Sequence, residues 1–141
     1  MEECIFCKIV RGEIPSHKVY EDEKTIAFQD INPVSDGHTL VVPKQHAENL
    51  YEIDPNDLTS VHKASQRIIR AIRKALDPIG VVVLQLNGRG VNQIIMHYHV
   101  HLIPRGEDDP PIPASDCGAK EGDEQRLKTT AEKIRRALEA G

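Results

Sequence analysis

The chain has 141 residues, of which 28% are charged and 39% hydrophobic, with a formal net charge of −4. That length suits one domain with its own core, and no apolar run approaches the roughly 20 residues of a membrane-spanning helix, so no membrane association is expected. The acidic balance argues against nucleic-acid polymers, whose phosphates demand a basic surface, but leaves small nucleotides open, because a few local donors can hold one or two phosphates.

The first residues, Met-Glu-Glu-Cys, show no basic region followed by an apolar one, so no secretory signal is expected. Three cysteines, two of them too close for a framework disulfide, point to a reducing, cytoplasmic setting with metal or redox use. Cys4-Ile5-Phe6-Cys7-Lys8-Ile9-Val10 combines a C-x-x-C spacing with apolar residues and is broken by Arg11-Gly12 and Ile14-Pro15-Ser16. Residues 17–21 and 25–31, rich in β-formers, read as a hairpin turning at Asp22-Glu23. Turn chemistry over 32–37 leads into a strand over 38–42, which Pro43 ends.

Asp54-Pro55-Asn56-Asp57 is a helix start, with Asp54 as N-cap and Pro55 at the first helical position. Leu58, Val61, Ser65, Ile68, Ile72 and Leu76 then recur at helical spacing up to a stop at Asp77-Pro78-Ile79-Gly80. Lys63, Arg67, Arg70, Arg73 and Lys74 form a basic outer face, read as solvated. Residues 81–86 are apolar on both faces, as in a strand covered from both sides. A glycine-bearing connection, residues 87–93, joins them in an antiparallel hairpin to a strand over about 95–103. Residues 106–122 are rich in Pro, Gly and Asp and are expected to be irregular, with Cys117 a bystander. A narrow stripe of Leu127, Ala131, Ile134 and Leu138 marks a final helix over about 123–138, able to dock on this subunit or a partner. The sum is an α+β fold of about five mainly antiparallel strands, one core helix and a C-terminal helix. Residues 1–105 form the core, and 106–141 a tail belonging to the same domain.

The strand over 95–103 carries the chemistry. Alternation puts His97, His99 and His101 on one face, and Met96, Tyr98, Val100 and Leu102 on the other. A neutral His99, with one ring nitrogen donating to a carbonyl and the other bearing a free lone pair, is a competent nucleophile toward phosphorus. His101 and His38 can hold phosphate oxygens or shuttle a proton, and imidazolium forms can do the electrostatic work without a divalent cation. Alternating histidines can equally bind zinc with an open position, or form a non-catalytic cluster, and spacing alone leaves all three open. His17 and His62 read as exposed or satisfied side chains without a role.

His97-Tyr98-His99-Val100-His101-Leu102-Ile103 matches the His-φ-His-φ-His-φ-φ signature, φ being apolar, of the histidine-triad (HIT) superfamily of nucleotide hydrolases and transferases. Ile5-Phe6-Cys7-Lys8-Ile9, Ile14-Pro15-Ser16, Val19-Tyr20-Glu21-Asp22, Ala27-Phe28-Gln29-Asp30-Ile31, residues 37–44 and Ile103-Pro104-Arg105 resemble its branch of purine-nucleoside phosphoramidases and bacterial HIT proteins. The resemblance covers roughly residues 4–105. It implies a half-barrel antiparallel sheet with a packed helix, and a homodimer whose two sheets join. It further implies hydrolysis of purine nucleoside 5′-monophosphoramidates or aminoacyl adenylates, conjugates of AMP or GMP, through a nucleotidyl-histidine intermediate, with no organic cofactor. His99 would be the nucleophile, with His38 and His101 assisting and with His99 and His101 at the nucleotide phosphate. Asp30 would hold the ribose hydroxyls, while Ile5, Phe6, Ile9, Phe28, Ile31 and Leu40 sandwich the base and Asn87 and Gln93 contact the phosphate or leaving group. Dinucleoside polyphosphate cleavage, or a non-catalytic nucleotide-binding scaffold, are the alternatives.

Two points set the chain against that pattern. Val91-Asn92-Gln93-Ile94 stands where the family commonly has Ala-Gly-Gln or Gly-Gly-Gln followed by Ser, Thr or Glu. Loss of the glycine is expected to restrict the backbone, and Ile94 cannot donate a hydroxyl hydrogen bond. Several bacterial members bind zinc through an N-terminal C-x-x-C, the histidine after Pro-Lys-x and the first triad histidine. The matching residues here are Cys4, Cys7, His46 and His97, a complete four-ligand set that implies a closed, structural zinc site and takes His97 out of the catalytic group.

Overall fold

A computed structural model describes residues 4–110 and 121–140. Five antiparallel strands form one sheet in the order β1-β2-β3-β5-β4. The β1–β2 hairpin, Lys18–Glu21 and Thr25–Gln29, closes at Asp22, whose carboxylate accepts the N–H groups of Lys24 and Thr25 at 2.9 Å each. β3, Thr39–Pro43, lies between β2 and β5, Val100–Arg105, while β4, Gly80–Leu84, forms the far edge. Ahead of the sheet, residues Ile5–Val10 wind into a short helix, α1, a form the sequence pattern did not assign to them.

The sheet separates two apolar clusters by the period-two rule. Val19, Ala27, Val41, Val100 and Leu102 point to the helix side, where α2, Pro55–Leu76, buries Val61, Ala64, Ile68, Ala71 and Ile72 against them. Ile26, Phe28, Leu40 and Val42 point to the opposite side and meet Phe6 of α1. Leu40 pairs directly with His101, and residues opposite each other on neighbouring strands share a face. Register therefore delivers the His101 ring to the Phe6 side of the sheet and its neighbours Val100 and Leu102 to the helix core.

α2 starts and stops as its sequence signals: the Asp54 carboxylate accepts the Asn56 N–H at 2.8 Å, and Asp77 ends the helix in the left-handed region at φ 48°. Its basic face is exposed, with the Arg67 guanidinium 5.6 Å from the centre of the Tyr20 ring. The final helix, α3, Glu124–Ala140, docks on this subunit, burying Leu127, Ala131 and Ile134, and packs along α2 and β1. From α3, Thr130 Oγ1 and Arg126 Nε donate to Asp36 at 2.6 and 3.3 Å, which clamps the turn before His38. Of the stretch 106–122, only residues 106–110, 121 and 122 are described, and Cys117 lies outside the described residues.

Two strand expectations need correction. The histidine strand does not run from 95 to 103; its ladder begins at Val100, because the lead segment is held by residues 43–47 instead, with Tyr98 N–H donating to Ala47 O at 2.7 Å. In that lead, which bends at residues 95–97, Tyr98 still packs into the helix-side core while His97 and His99 meet Phe6 on the other side. β4 is not covered on both faces: α2 crosses β2, β3 and β5, and the edge strand leaves Val83 53% exposed.

Gly37, at φ 91°, sits in the turn that delivers His38, and a Cβ there would press into Leu76 Cδ1 and lie 3.2 Å from Pro104 Cγ. A Gly37→Ala variant is therefore expected to lose about 3 kcal/mol, from left-handed strain and overpacking together, in urea denaturation. A wild-type midpoint would show that the turn relaxes freely.

Candidate active site and metal centre

Hydrogen-bond partners dictate the protonation pattern of the histidines. A backbone N–H can only donate, so the Val34 N–H, 3.0 Å from His38 Nδ1, makes that nitrogen an acceptor and leaves the neutral ring's proton on Nε2. His38 Nε2–H then donates to His101 Nδ1 at 2.9 Å, which in turn puts the His101 proton on Nε2. His99 has the opposite tautomer: its Nδ1–H donates to the His97 carbonyl at 2.6 Å, and Nε2 keeps its lone pair. The His99 and His101 rings lie 4.9 Å apart. One ring thus offers a lone pair and its neighbour offers an N–H, the complementary equipment for attack at a centre and for binding the oxygens around it.

Burial sets the electrostatics. It pushes His38 down to about 3, helped by repulsion from His101, His99 and Arg105, and His101 down to about 4, helped by His99. His99 is lowered by burial too, against the opposing pull of the His97 carbonyl. All three are therefore neutral near pH 7, and N–H dipoles replace the imidazolium charges that the sequence suggested. Asp30 is raised to about 6 by burial, countered by the Asn32 N–H on Oδ1 at 2.9 Å, so it is largely a carboxylate at neutral pH. Its Oδ2 lies 3.5 Å from His38 Nε2.

The expected base-binding residues divide. Phe6, Phe28 and Leu40 cluster beside the histidines, Phe6 meeting the ring of Phe28 at 5.4 Å and that of His99 at 5.2 Å edge-on, with Ile9 packed against them. Ile5 and Ile31 are exposed, at 43% and 50%. The amides of Asn87 and Gln93 are engaged by their own loop and by the loop around residues 48–50. Asn87 Oδ1 accepts from Leu50 N–H and Gln85 Nε2, both at 2.8 Å, and the buried Gln93 accepts from Gly88 N–H and donates to Glu48 O and Ile95 O. His17 pairs with Glu124 at 3.1 Å and His62 with the Tyr98 hydroxyl at 3.1 Å, apart from this group.

A second constellation lies at the other end of the row. His97 Nε2–H donates to Pro43 O at 2.8 Å, so its Nδ1 lone pair is directed at Cys4 Sγ, Cys7 Sγ and His46 Nδ1, at 3.3, 3.6 and 3.2 Å. Cys7 Sγ and His46 Nδ1 are 3.4 Å apart, and all four donor atoms lie within 4.8 Å of one another. Tetrahedral zinc with ordinary Zn–N and Zn–S lengths needs edges of about 3.3 Å between nitrogens and about 3.6 Å between nitrogen and sulfur, so the donors fit. The Pro43 carbonyl on the far ring nitrogen is the usual outer partner of a ligating imidazole.

Comparison with known proteins gives the family. The HIT domain model matches residues 11–108. The chain belongs to the HIT family. A relative, Protein hit of Bacillus subtilis, is 52% identical over 104 residues, 74% of this chain and 72% of its own. Adenosine 5′-monophosphoramidase of Schizosaccharomyces pombe is 40% identical over 106 residues, 75% of this chain and 77% of that one. The crystal structure of a Zn-bound histidine triad family protein from Mycobacterium smegmatis superposes with a TM-score of 0.85 at 32% identity, covering 98% of this chain and 94% of that one.

Against the HIT pattern, the missing glycine at position 92 proves no obstacle: Asn92 itself takes the left-handed conformation, at φ 74°, which asparagine tolerates best after glycine. Ile94 is 75% exposed beside it. The groups that sequence reading missed are main-chain ones, the Val34 N–H and the carbonyls of Pro43 and His97. Every residue carries the same main-chain atoms, so no residue type announces them.

Linkage gives a test of the buried neutral histidines. Below about pH 6.5 the unfolded chain protonates His38 and His101 while the folded chain does not, so stability falls as pH drops toward 4. Asp30 opposes this with one group, since the folded state holds its extra proton up to about 6. In His38→Asn, whose side-chain oxygen can still accept the Val34 N–H, the stability difference between about pH 7 and about pH 4 is expected to shrink relative to wild type, read by urea denaturation. Equal differences would show that His38 titrates alike in both states.

Proposed function

We propose that this HIT protein is a nucleotide hydrolase that cleaves purine nucleoside 5′-monophosphate conjugates, phosphoramidates or aminoacyl adenylates, at the α-phosphate. The observation that carries the reading is the pair of opposite tautomers, with the His99 Nε2 lone pair beside the His101 Nε2–H. The relative named adenosine 5′-monophosphoramidase supports the substrate class. The base enters against Phe6, Phe28, Leu40 and Ile9, with Ile5 and Ile31 at the rim, and Asp30 accepts the ribose hydroxyls. Asn87 and Gln93 shape the loop on the leaving-group side.

The steps balance without a net change in the protein. The Nε2 lone pair of His99 forms a bond to phosphorus as the bond to the leaving amine breaks, and the amine departs with a proton from solvent. The positive charge on the nucleotidyl-imidazole is delocalised toward Nδ1–H, already bonded to the His97 carbonyl. His101 Nε2–H, backed by His38, binds a phosphate oxygen throughout. Water then attacks phosphorus, its proton returns to solvent, and the electron pair of the P–N bond goes back to Nε2. Cys4, Cys7, His46 and His97 would hold zinc, and with four protein ligands the site would be closed and structural. A cytoplasmic homodimer is part of the reading, supported by Cys4 and Cys7 as thiols rather than a disulfide and by the outer edge of β4 with its exposed Val83.

With a fluorogenic AMP-amine conjugate, His99→Ala is expected to lower kcat by about four orders of magnitude while leaving AMP affinity within a few-fold. A variant with undiminished kcat removes His99 as nucleophile. Turnover of diadenosine polyphosphate but not of the conjugate would replace the substrate class, and inertness to both would favour a binding role. Metal analysis of protein purified without chelator should find about one zinc per chain, and far less in Cys7→Ser.

A further inference from the structure

We infer that the Cys4–Cys7–His46–His97 centre is the positioning device of the nucleophile, acting through the backbone of His97, and not only a staple for the fold. The inference rests on the hydrolase reading for its activity arm alone.

The argument starts from what the lead segment lacks. Between β3 and β5 the ladder pairs Val41 with Val100, Leu40 with His101 and Thr39 with Leu102. His97, Tyr98 and His99 precede it, so the sheet does not set their orientation. What holds them is the last residue of β3 and the segment that follows it: Pro43 O receives the His97 ring N–H at 2.8 Å, Ala47 O receives the Tyr98 N–H at 2.7 Å, and His46 faces His97 across the donor cluster at 3.2 Å. The ring of His97 is therefore clamped from both sides, by a carbonyl at Nε2 and by the cluster at Nδ1.

The same residue's carbonyl accepts the Nδ1–H of His99, the one bond that selects the nucleophilic tautomer. One residue thus spans the metal donors and the nucleophile. A second link runs through α1, where Phe6, between Cys4 and Cys7, meets the rings of His97 and His99 edge-on at 5.8 and 5.2 Å. Without a cation, the 3.2 Å contact between His46 Nδ1 and His97 Nδ1 is held by a single proton, on His46 or on a cysteine thiol, and these arrangements exchange. The ring of His97 is then fixed on one side alone, by Pro43 O, and the looser hold on its main chain lets the His99 ring exchange tautomers. Phe6 stays anchored by Phe28 and Leu40, so the base wall persists.

The test uses the full chain labelled with ¹⁵N-histidine, loaded with zinc, stripped with a chelator, and reloaded with zinc or with cadmium, which takes the same donors. Long-range imidazole spectra should show His99 as one N–H and one bare nitrogen when loaded, an averaged pattern when stripped, and recovery on reloading with either metal. Stripping should lower kcat on the AMP-amine conjugate by about tenfold to a hundredfold with the Kd for AMP within about threefold, and Cys4→Ser should behave like the stripped protein. A stripped protein that keeps a single His99 tautomer, or keeps its kcat, overturns the inference. So does loss of both AMP binding and circular dichroism on stripping, which would make the centre a stability element. A tautomer that responds to metal in a protein inert to the conjugate would uphold the inference and overturn the hydrolase reading.

Discussion

Four imidazoles, His38 and His97 fully buried and His99 and His101 partly so, cluster on one side of this sheet, and burial imposes a single requirement on each of them: stay neutral and find a partner. His38 receives the Val34 N–H, His101 receives the His38 ring proton, His99 gives its proton to the His97 carbonyl, and His97 gives its own to Pro43. Each bond fixes which nitrogen carries hydrogen. Rings of identical chemistry thereby carry their protons on different nitrogens, and the difference lies in their neighbours rather than in themselves.

The two faces of the sheet divide the work. The helix side gathers Ala27, Val41, Val100 and Leu102 under α2 and α3 and supplies most of the apolar burial. The other side is smaller, with Phe6, Ile26, Phe28, Leu40 and Val42, and it opens beside the histidines. Because opposite residues of paired strands share a face, the Leu40–His101 register places a catalytic type of side chain in the aromatic cluster. The same pairing keeps Val100 and Leu102 in the helix core. A slip of one residue would exchange the two sets.

Legibility followed the range of the forces involved. Asp54, Pro55 and the three- and four-residue stripe act within one turn of helix, and α2 came out as read, down to the stop at Asp77. The hairpin closed by Asp22 is equally local. The histidine strand is shorter than its alternation predicts because the chain bends at residues 95–97 and His97 and Tyr98 take their bonds from residues 43–47. β4 was read as covered because its run of valines is apolar on both faces; only the path of α2 across β2, β3 and β5 decides that it is an exposed edge. Asn92 shows the reverse case, where an apparent loss of glycine was absorbed by a side chain that tolerates the left-handed region.

The order of residues was enough for the fold class and the three-histidine signature, because residue types and their spacing carry that chemistry, while the Cys4, Cys7, His46 and His97 set and the acid Asp30 were implied by the resemblance to the HIT family. It left the division of labour within the row to the folded chain. Tautomers, the neutral charge state of the rings and the join between the metal donors and His99 depend on main-chain carbonyls and N–H groups brought from elsewhere in the chain. Those atoms are the same in every residue, so their placement is a property of the tertiary structure and of nothing written at positions 97, 99 or 101.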